Sequence, residues 1–226
     1  MAKQKIATRE PLSRTRVLRA AVALADQAGL EGFSMRGLAQ ELGVVPMALY
    51  KHVANKDELL DGMVDIVFSE IELPSSDLDW RSAMRLRALS TREALKRHGW
   101  AIGMMESRHP GPANLRHHDA VMGCLRGAGF PFAMAVHAYS VQDAYIYGFA
   151  LQERDLAFET PDSAGEAARR RAETVGRLED YPYLVEIAAK LPGSGYDSAV
   201  EFAWGLDLIL EGLERLRQVE AKAPGD

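Results

Sequence analysis

The 226-residue chain has one cysteine, Cys124, which excludes an internal disulfide framework and a thiolate zinc cluster. A reducing, cytoplasmic compartment fits that scarcity. Long apolar runs are also missing. Ala20–Ala25 and Leu208–Leu210 fall far short of the roughly 18 residues that a bilayer span needs, so no membrane partner is expected. The opening Met-Ala-Lys-Gln-Lys is basic but continues into Ile6, Ala7, Thr8, Arg9 and Glu10, which is not the apolar core of a secretory signal. No stretch alternates as a strand would, and neither an internal repeat nor a low-complexity segment is found. What remains is ordinary for a globular protein, with 47% hydrophobic and 26% charged residues, and collagen-like or wholly disordered readings are excluded.

The charge is uneven. Residues 1–60 carry nine Lys/Arg against six Asp/Glu, a net of +3, and the remainder carries 18 against 26, a net of −8. A polyanion would therefore be bound by the N-terminal quarter.

The apolar positions Val17, Leu18, Ala21, Val22, Leu24 and Ala25 predict a helix over 13–28, stopped by Gly29. Ser34 caps a second helix through Leu42, ended by Gly43. A third stretch, 46–52, starts with proline in the favoured first turn and carries Leu49, Tyr50 and Val53 inward. Asn55 caps a fourth that begins Lys56-Asp57-Glu58. Leu73-Pro74-Ser75-Ser76-Asp77 reads as a linker, followed by helical patterns near 79–97, 113–128, 132–154, 166–178 and 197–218. Residues 1–10 read as flexible, and 153–180 as polar enough to be partly mobile.

Two short helices joined by a glycine-containing turn are the pattern of a helix-turn-helix. Ala39 lets the helices cross closely, Gly43 supplies a positive φ, and Leu38, Leu42, Val44 and Leu49 fill a miniature core. The outward face then holds Pro46, Met47, Ala48, Lys51 and His52, and an α-helix fits the DNA major groove. Arginine and lysine contact phosphate or guanine, tyrosine can donate to phosphate, and apolar Met47 and Ala48 can meet a thymine methyl group. A plain helical hairpin would show the same spacing without the charge.

The run Ser34 to Leu60, with Leu-Gly-Val, Leu-Tyr, His-Val and Asn-Lys in order, resembles the DNA-binding unit of the tetracycline repressor (TetR) family. The similarity continues through Trp80, Gly129-Phe130, Ala135, Ala138, Gly148 and Phe202–Glu214. The resemblance implies an all-α homodimer: a three-helix DNA-binding domain at 1–63 and a helical-bundle domain for ligand binding and dimerisation at 64–226. It implies a transcriptional repressor, not an enzyme, that leaves a palindromic double-stranded operator when a small hydrophobic effector binds. Carried over by position, the DNA contacts are Arg36, Pro46, Met47, Ala48, Tyr50, Lys51, His52 and Lys56, with Lys51 where the family's type member has tryptophan.

The matching effector positions are Arg87, Thr91, Met105, Arg108, Val121, Tyr139 and Gln152, with Trp100 close by at helical spacing. In the type member a histidine and a glutamate hold magnesium. Met105 and Gln152 stand there here, poor donors for a hard cation, so no metal or other cofactor is expected. Arg87 or Arg108 could fix a carboxylate or phenolate. His117-His118, with His98 and His109, read as solvated or capping, and Cys124 as a small buried hydrophobe. Ala135, Ala138, Val141 and Ala144, with Phe202, Leu206, Ile209, Leu213 and Leu216, could pack across a two-fold axis or form monomer core. The alternatives are a small-molecule-binding protein that lost DNA function, and an activator with the same fold.

Overall fold

In a computed structural model, residues 11–157, 181–190 and 197–220 are described. Among them every regular element is helical. The helices are α1 (Arg14–Ala28), α2 (Met35–Leu42), α3 (Pro46–Leu49), α4 (Lys56–Ser69), α5 (Trp80–Arg97), α6 (Pro112–Gly127), α7 (Phe132–Ala157), α8 (Pro182–Lys190) and α9 (Ser198–Glu220), with a 3₁₀ helix at Gly99–Met104. The patterns near 79–97, 113–128, 132–154 and 197–218 match α5, α6, α7 and α9 to within a few residues. The pattern at 166–178 and the flexible reading of 1–10 lie outside the described residues. The chain forms two compact units, one of Met1–Leu73 with Glu93–Val121, the other of Pro74–Arg92 with Met122–Asp226.

In the first unit the ends of the helices are set by capping chemistry. The Ser13 hydroxyl accepts the Arg16 N–H at 3.2 Å, Ser34 accepts Gly37 N–H at 3.1 Å, and Asn55 Oδ1 accepts Glu58 N–H at 2.8 Å. α1 packs on α2 and α4 through Val17, Leu18, Ala21 and Val22 against Leu38, Leu59, Met63 and Val67, all buried. Gly62 makes that approach possible: a Cβ there would lie 2.7 Å from Leu18 Cδ2.

Residues 98–118 of the same unit are tied to α1 and α4. His98, which is buried, bonds Asp26 through Nδ1 at 2.8 Å and Glu70 through Nε2 at 3.2 Å. Trp100 donates to Asp26 at 2.7 Å. Asp65 Oδ1 accepts the Ala113 and Asn114 N–H groups, each at 2.9 Å, so a carboxylate on α4 caps α6. His117 is fully buried with its ring 5.3 Å from Phe68, and half-buried His118 bonds the Asn114 carbonyl at 2.9 Å. This corrects the solvated reading of His117, because the helix turn that caps on Asp65 directs it at an apolar neighbour.

In the second unit α7 packs on α9. Tyr145 stacks on Phe202 at 5.3 Å and donates to the Phe202 carbonyl at 2.9 Å, over Gly205, where a Cβ would collide with the phenol. Two arginines of α5 are buried and paired: Arg87 with Asp143 at 2.5 Å, and Arg92 with Glu153 at 2.9 Å through Nε. Trp80 packs edge-on against Phe130 at 4.8 Å and donates to Glu214 at 3.1 Å. Arg217 and Gln218 also donate to Glu214, which holds its carboxyl at a pKa of about 2. Cys124 is half-exposed, not buried as its apolar sequence neighbours suggest. It borders an open cleft of about 360 Å³ with Pro74, Leu78, Trp80 and Gly127.

Candidate nucleic-acid interface

The turn between α2 and α3 is built on Gly43, at φ 63° and ψ 41°. Its N–H bonds the Gln40 carbonyl at 3.0 Å and the Val44 N–H bonds the Ala39 carbonyl at 2.9 Å, closing α2 in a left-handed cap. Leu38, Ala39, Leu42, Leu49 and Val53 are buried beneath the turn, while Val44 is only half-buried.

α3 is shorter than the expected 46–52. It ends at Leu49, and the chain tightens as the Lys51 and His52 N–H groups bond back three residues to Ala48 and Leu49. That tightening turns Tyr50 outward, to 44% exposure, and corrects its inward placement. Pro46, Met47, Lys51 and Lys56 are exposed, and Ala48 and His52 are half-buried. Arg36 is exposed on α2. Neither Arg36 nor Lys51 has an acidic partner among the described residues. Val45, which the sequence pattern did not single out, is 68% exposed beside Met47 at 72%. The available signal was its place immediately before a proline that starts a helix.

The start of α4 is also fixed. The Glu58 carboxylate accepts the Ala54 N–H at 2.6 Å and an Arg14 N–H at 3.3 Å. The backbone bond from Ala54, against a smaller opposing effect of burial, holds its carboxyl below the usual range, with Arg14 adding to the lowering. Lys56 lies with its ammonium 5.8 Å from the Phe33 ring centre. Arg36 on α2, Lys51 just after α3 and Lys56 at the start of α4 are all exposed cations.

A family model for bacterial regulatory proteins, tetR family, matches residues 17–63, and a second, tetracyclin repressor-like, C-terminal domain, matches residues 73–217. The chain belongs to the tetracycline repressor (TetR) family. It is 35% identical to the HTH-type transcriptional repressor DrrR1 of Streptomyces coeruleorubidus, over 91% of this chain and 78% of that one. It is 32% identical to the class A tetracycline repressor protein of Escherichia coli, over 93% and 96%. The crystal structure of the Streptomyces coelicolor TetR family protein ActR in complex with actinorhodin superposes with a TM-score of 0.75 at 30% identity, covering 92% of this chain and 99% of that one. The protein is accordingly a helix-turn-helix, DNA-binding transcriptional regulator, and not an enzyme.

In this TetR-family chain the residues matched to effector binding fall in both compact units. In one, Arg87 is fully buried on Asp143 with its guanidinium 5.7 Å from the Tyr139 ring centre, Thr91 donates to the Arg87 carbonyl at 2.8 Å, and Gln152 is exposed. In the other, Met105 and Val121 are buried, Trp100 is held by Asp26, and Arg108 bonds Asp57 at 3.0 Å and faces Asp61 at 3.7 Å. A buried thioether and an exposed neutral amide do not suit magnesium. Among the described residues no group of three or more His, Cys, Asp or Glu could hold a metal ion, and no helix is long and apolar enough to cross a membrane.

Of the residues offered for a two-fold interface, Ala135, Ala138, Phe202, Leu206 and Leu213 are buried within the chain itself. Val141, Ala144 and Leu216 are exposed, and Ile209 is half-buried. Val136, Leu151, Trp204, Leu208 and Val219 are further exposed apolar side chains of α7 and α9 that the pattern did not mark. On a helix that is apolar nearly all round, periodicity alone does not separate the core stripe from the outer one.

Proposed function

We propose that the protein is a cytoplasmic repressor that binds a palindromic operator as a homodimer and releases it when a small hydrophobic effector binds. The observation that carries this reading is the left-handed turn at Gly43, which holds a short helix with an exposed, cation-flanked outer face. Residues 1–63 are the DNA-binding part and residues 64–226 the effector and dimerisation part. Arg36, Tyr50, Lys51, His52 and Lys56 contact phosphate or base edges, and Pro46, Met47 and Ala48 face the groove. The exposed apolar residues of α7 and α9, Trp204 and Leu208 among them, form the two-fold contact.

ActR binds actinorhodin in the crystal. By analogy the effector here is an aromatic, hydrophobic molecule. Arg87 and Arg108 each face a carboxylate, so an acidic effector held by either would share that guanidinium with Asp143 or Asp57. Its binding favours a conformer whose headpieces are misplaced for the operator, with a coupling of about 1–3 kcal/mol, or roughly 5–150-fold in DNA affinity. α4 transmits the change, because Asp57, Asp61, Asp65 and Glu70 on it or at its end hold residues 97–114.

The test is a gel-shift titration of the full-length protein on the DNA upstream of its own gene, repeated with a panel of neutral and acidic polycyclic aromatic compounds. Selective retardation relieved by one of them supports the reading. Retardation no better than on random duplex, there and on duplexes recovered by genomic selection, contradicts it.

A further inference from the structure

The outer tip of the recognition turn is apolar from end to end. Val45 and Met47 are 68% and 72% exposed, more than the nearby Tyr50 at 44%, and Pro46 between them is also exposed. None of the side chains of Val45, Pro46, Met47 or Ala48 can make a strong hydrogen bond, since a thioether is only a weak acceptor. The groups that can, Arg36 before the tip and Tyr50, Lys51 and His52 after it in sequence, are suited to phosphate or to base edges outside the tip.

Base edges in the major groove are distinguished by donors, acceptors and one apolar group, the thymine 5-methyl. Pressed against guanine or cytosine, an apolar tip would strip water from N7, O6 or N4 and return no hydrogen bond. Against thymine it buries a methyl group, which is favourable. Two large exposed apolar residues flanked by cations on an otherwise well-buried three-helix unit therefore have one occupant that fits both features, a duplex with thymine methyls in its major groove.

We infer that Val45 and Met47 read thymine 5-methyl groups, so that the operator positions beneath α3 are A·T pairs. The inference rests on the DNA-binding reading and specifies what that surface recognises. The test starts with duplexes selected from a random pool by the full-length protein. Each thymine of the selected half-site is then replaced by deoxyuridine, which removes the methyl and keeps the pairing, and binding is followed by fluorescence anisotropy. The burial of one methyl corresponds to roughly a four-fold change in affinity, so a loss of that size is expected at one or two thymines per half-site. Met47→Ala or Val45→Ala removes the discrimination at its own thymine, so that the variant's affinities for the thymine and uracil duplexes come within about two-fold of each other. Both residues are largely exposed, so the variants fold, which thermal unfolding checks. If selective binding persists but every replacement changes affinity by less than about two-fold, the methyl readout is overturned and the repressor reading stands. If no selective duplex is recovered, both fall.

Discussion

Replacing Asp65 with alanine is expected to lower the melting temperature of the protein by about 4–8 °C. One oxygen of this α4 side chain accepts both the Ala113 and the Asn114 N–H groups at 2.9 Å. These N–H groups, in the first turn of α6, have no partner within the helix. Removing a capping acceptor costs about 0.5–2 kcal/mol, and losing a carboxylate at a helix start adds about 0.3–1 kcal/mol. Taken at about 2 kcal/mol, with about 2–4 °C per kcal/mol for a chain of this size, the shift follows. Asp65→Asn keeps an acceptor and loses the charge, so its drop is smaller, about 1–4 °C. Gly111→Ala reaches the same cap from the other side, because the added Cβ would run into the Asp65 carboxylate. The two changes are therefore coupled, and Asp65→Ala with Gly111→Ala melts close to the worse single variant. Melting curves by circular dichroism give all four values. A drop under about 1 °C for Asp65→Ala, or full additivity of the pair, would refute the trans-capping argument.

Tyr50→Ala and Lys56→Ala are expected to weaken operator binding without unfolding the protein, and Lys56→Ala to reduce the salt slope by about one unit, measured by anisotropy titrations across salt. Leu49→Ala removes a fully buried side chain beneath the recognition turn and should cost about 2–5 kcal/mol in urea unfolding. Glu214 is held at about 2 against an ordinary 4.5 by Arg217 first, then Gln218. A depressed folded pKa contributes stability that is present above 4.5 and lost as pH falls toward 2, so Glu214→Gln should flatten acid unfolding across that window. Breaking the buried Arg87–Asp143 pair with Asp143→Ala should destabilise by about 3–5 kcal/mol, because it takes a carboxylate from a fully buried guanidinium.

The DNA-binding half was the more legible in sequence. Ser13, Ser34 and Asn55 cap the helices that their positions imply, and Gly43 takes the positive φ that the turn demands. These are local effects, decided within four or five residues. Tyr50 was placed inward because the pattern was extended as a regular helix, whereas three-residue back-bonds end α3 at Leu49. In the second half, outcomes depend on distant partners. Arg87 reads as an anchor for an effector, and Arg92 is not marked at all, until Asp143 and Glu153, more than fifty positions away, are seen to engage them. His98 and His117 are buried for the same reason, by Asp26, Glu70 and Phe68. Neither the 3₁₀ helix at Gly99–Met104 nor α8 was expected, since both segments are too short to show a period.

The repressor reading is best tested by fluorescence anisotropy of the full-length protein on a duplex recovered by genomic selection, compared with a scrambled duplex at two salt concentrations. The predicted result is binding at least about a thousand-fold tighter to the selected duplex, weakening steeply as salt rises. Equal affinity for the selected and scrambled duplexes at both salt concentrations would contradict it.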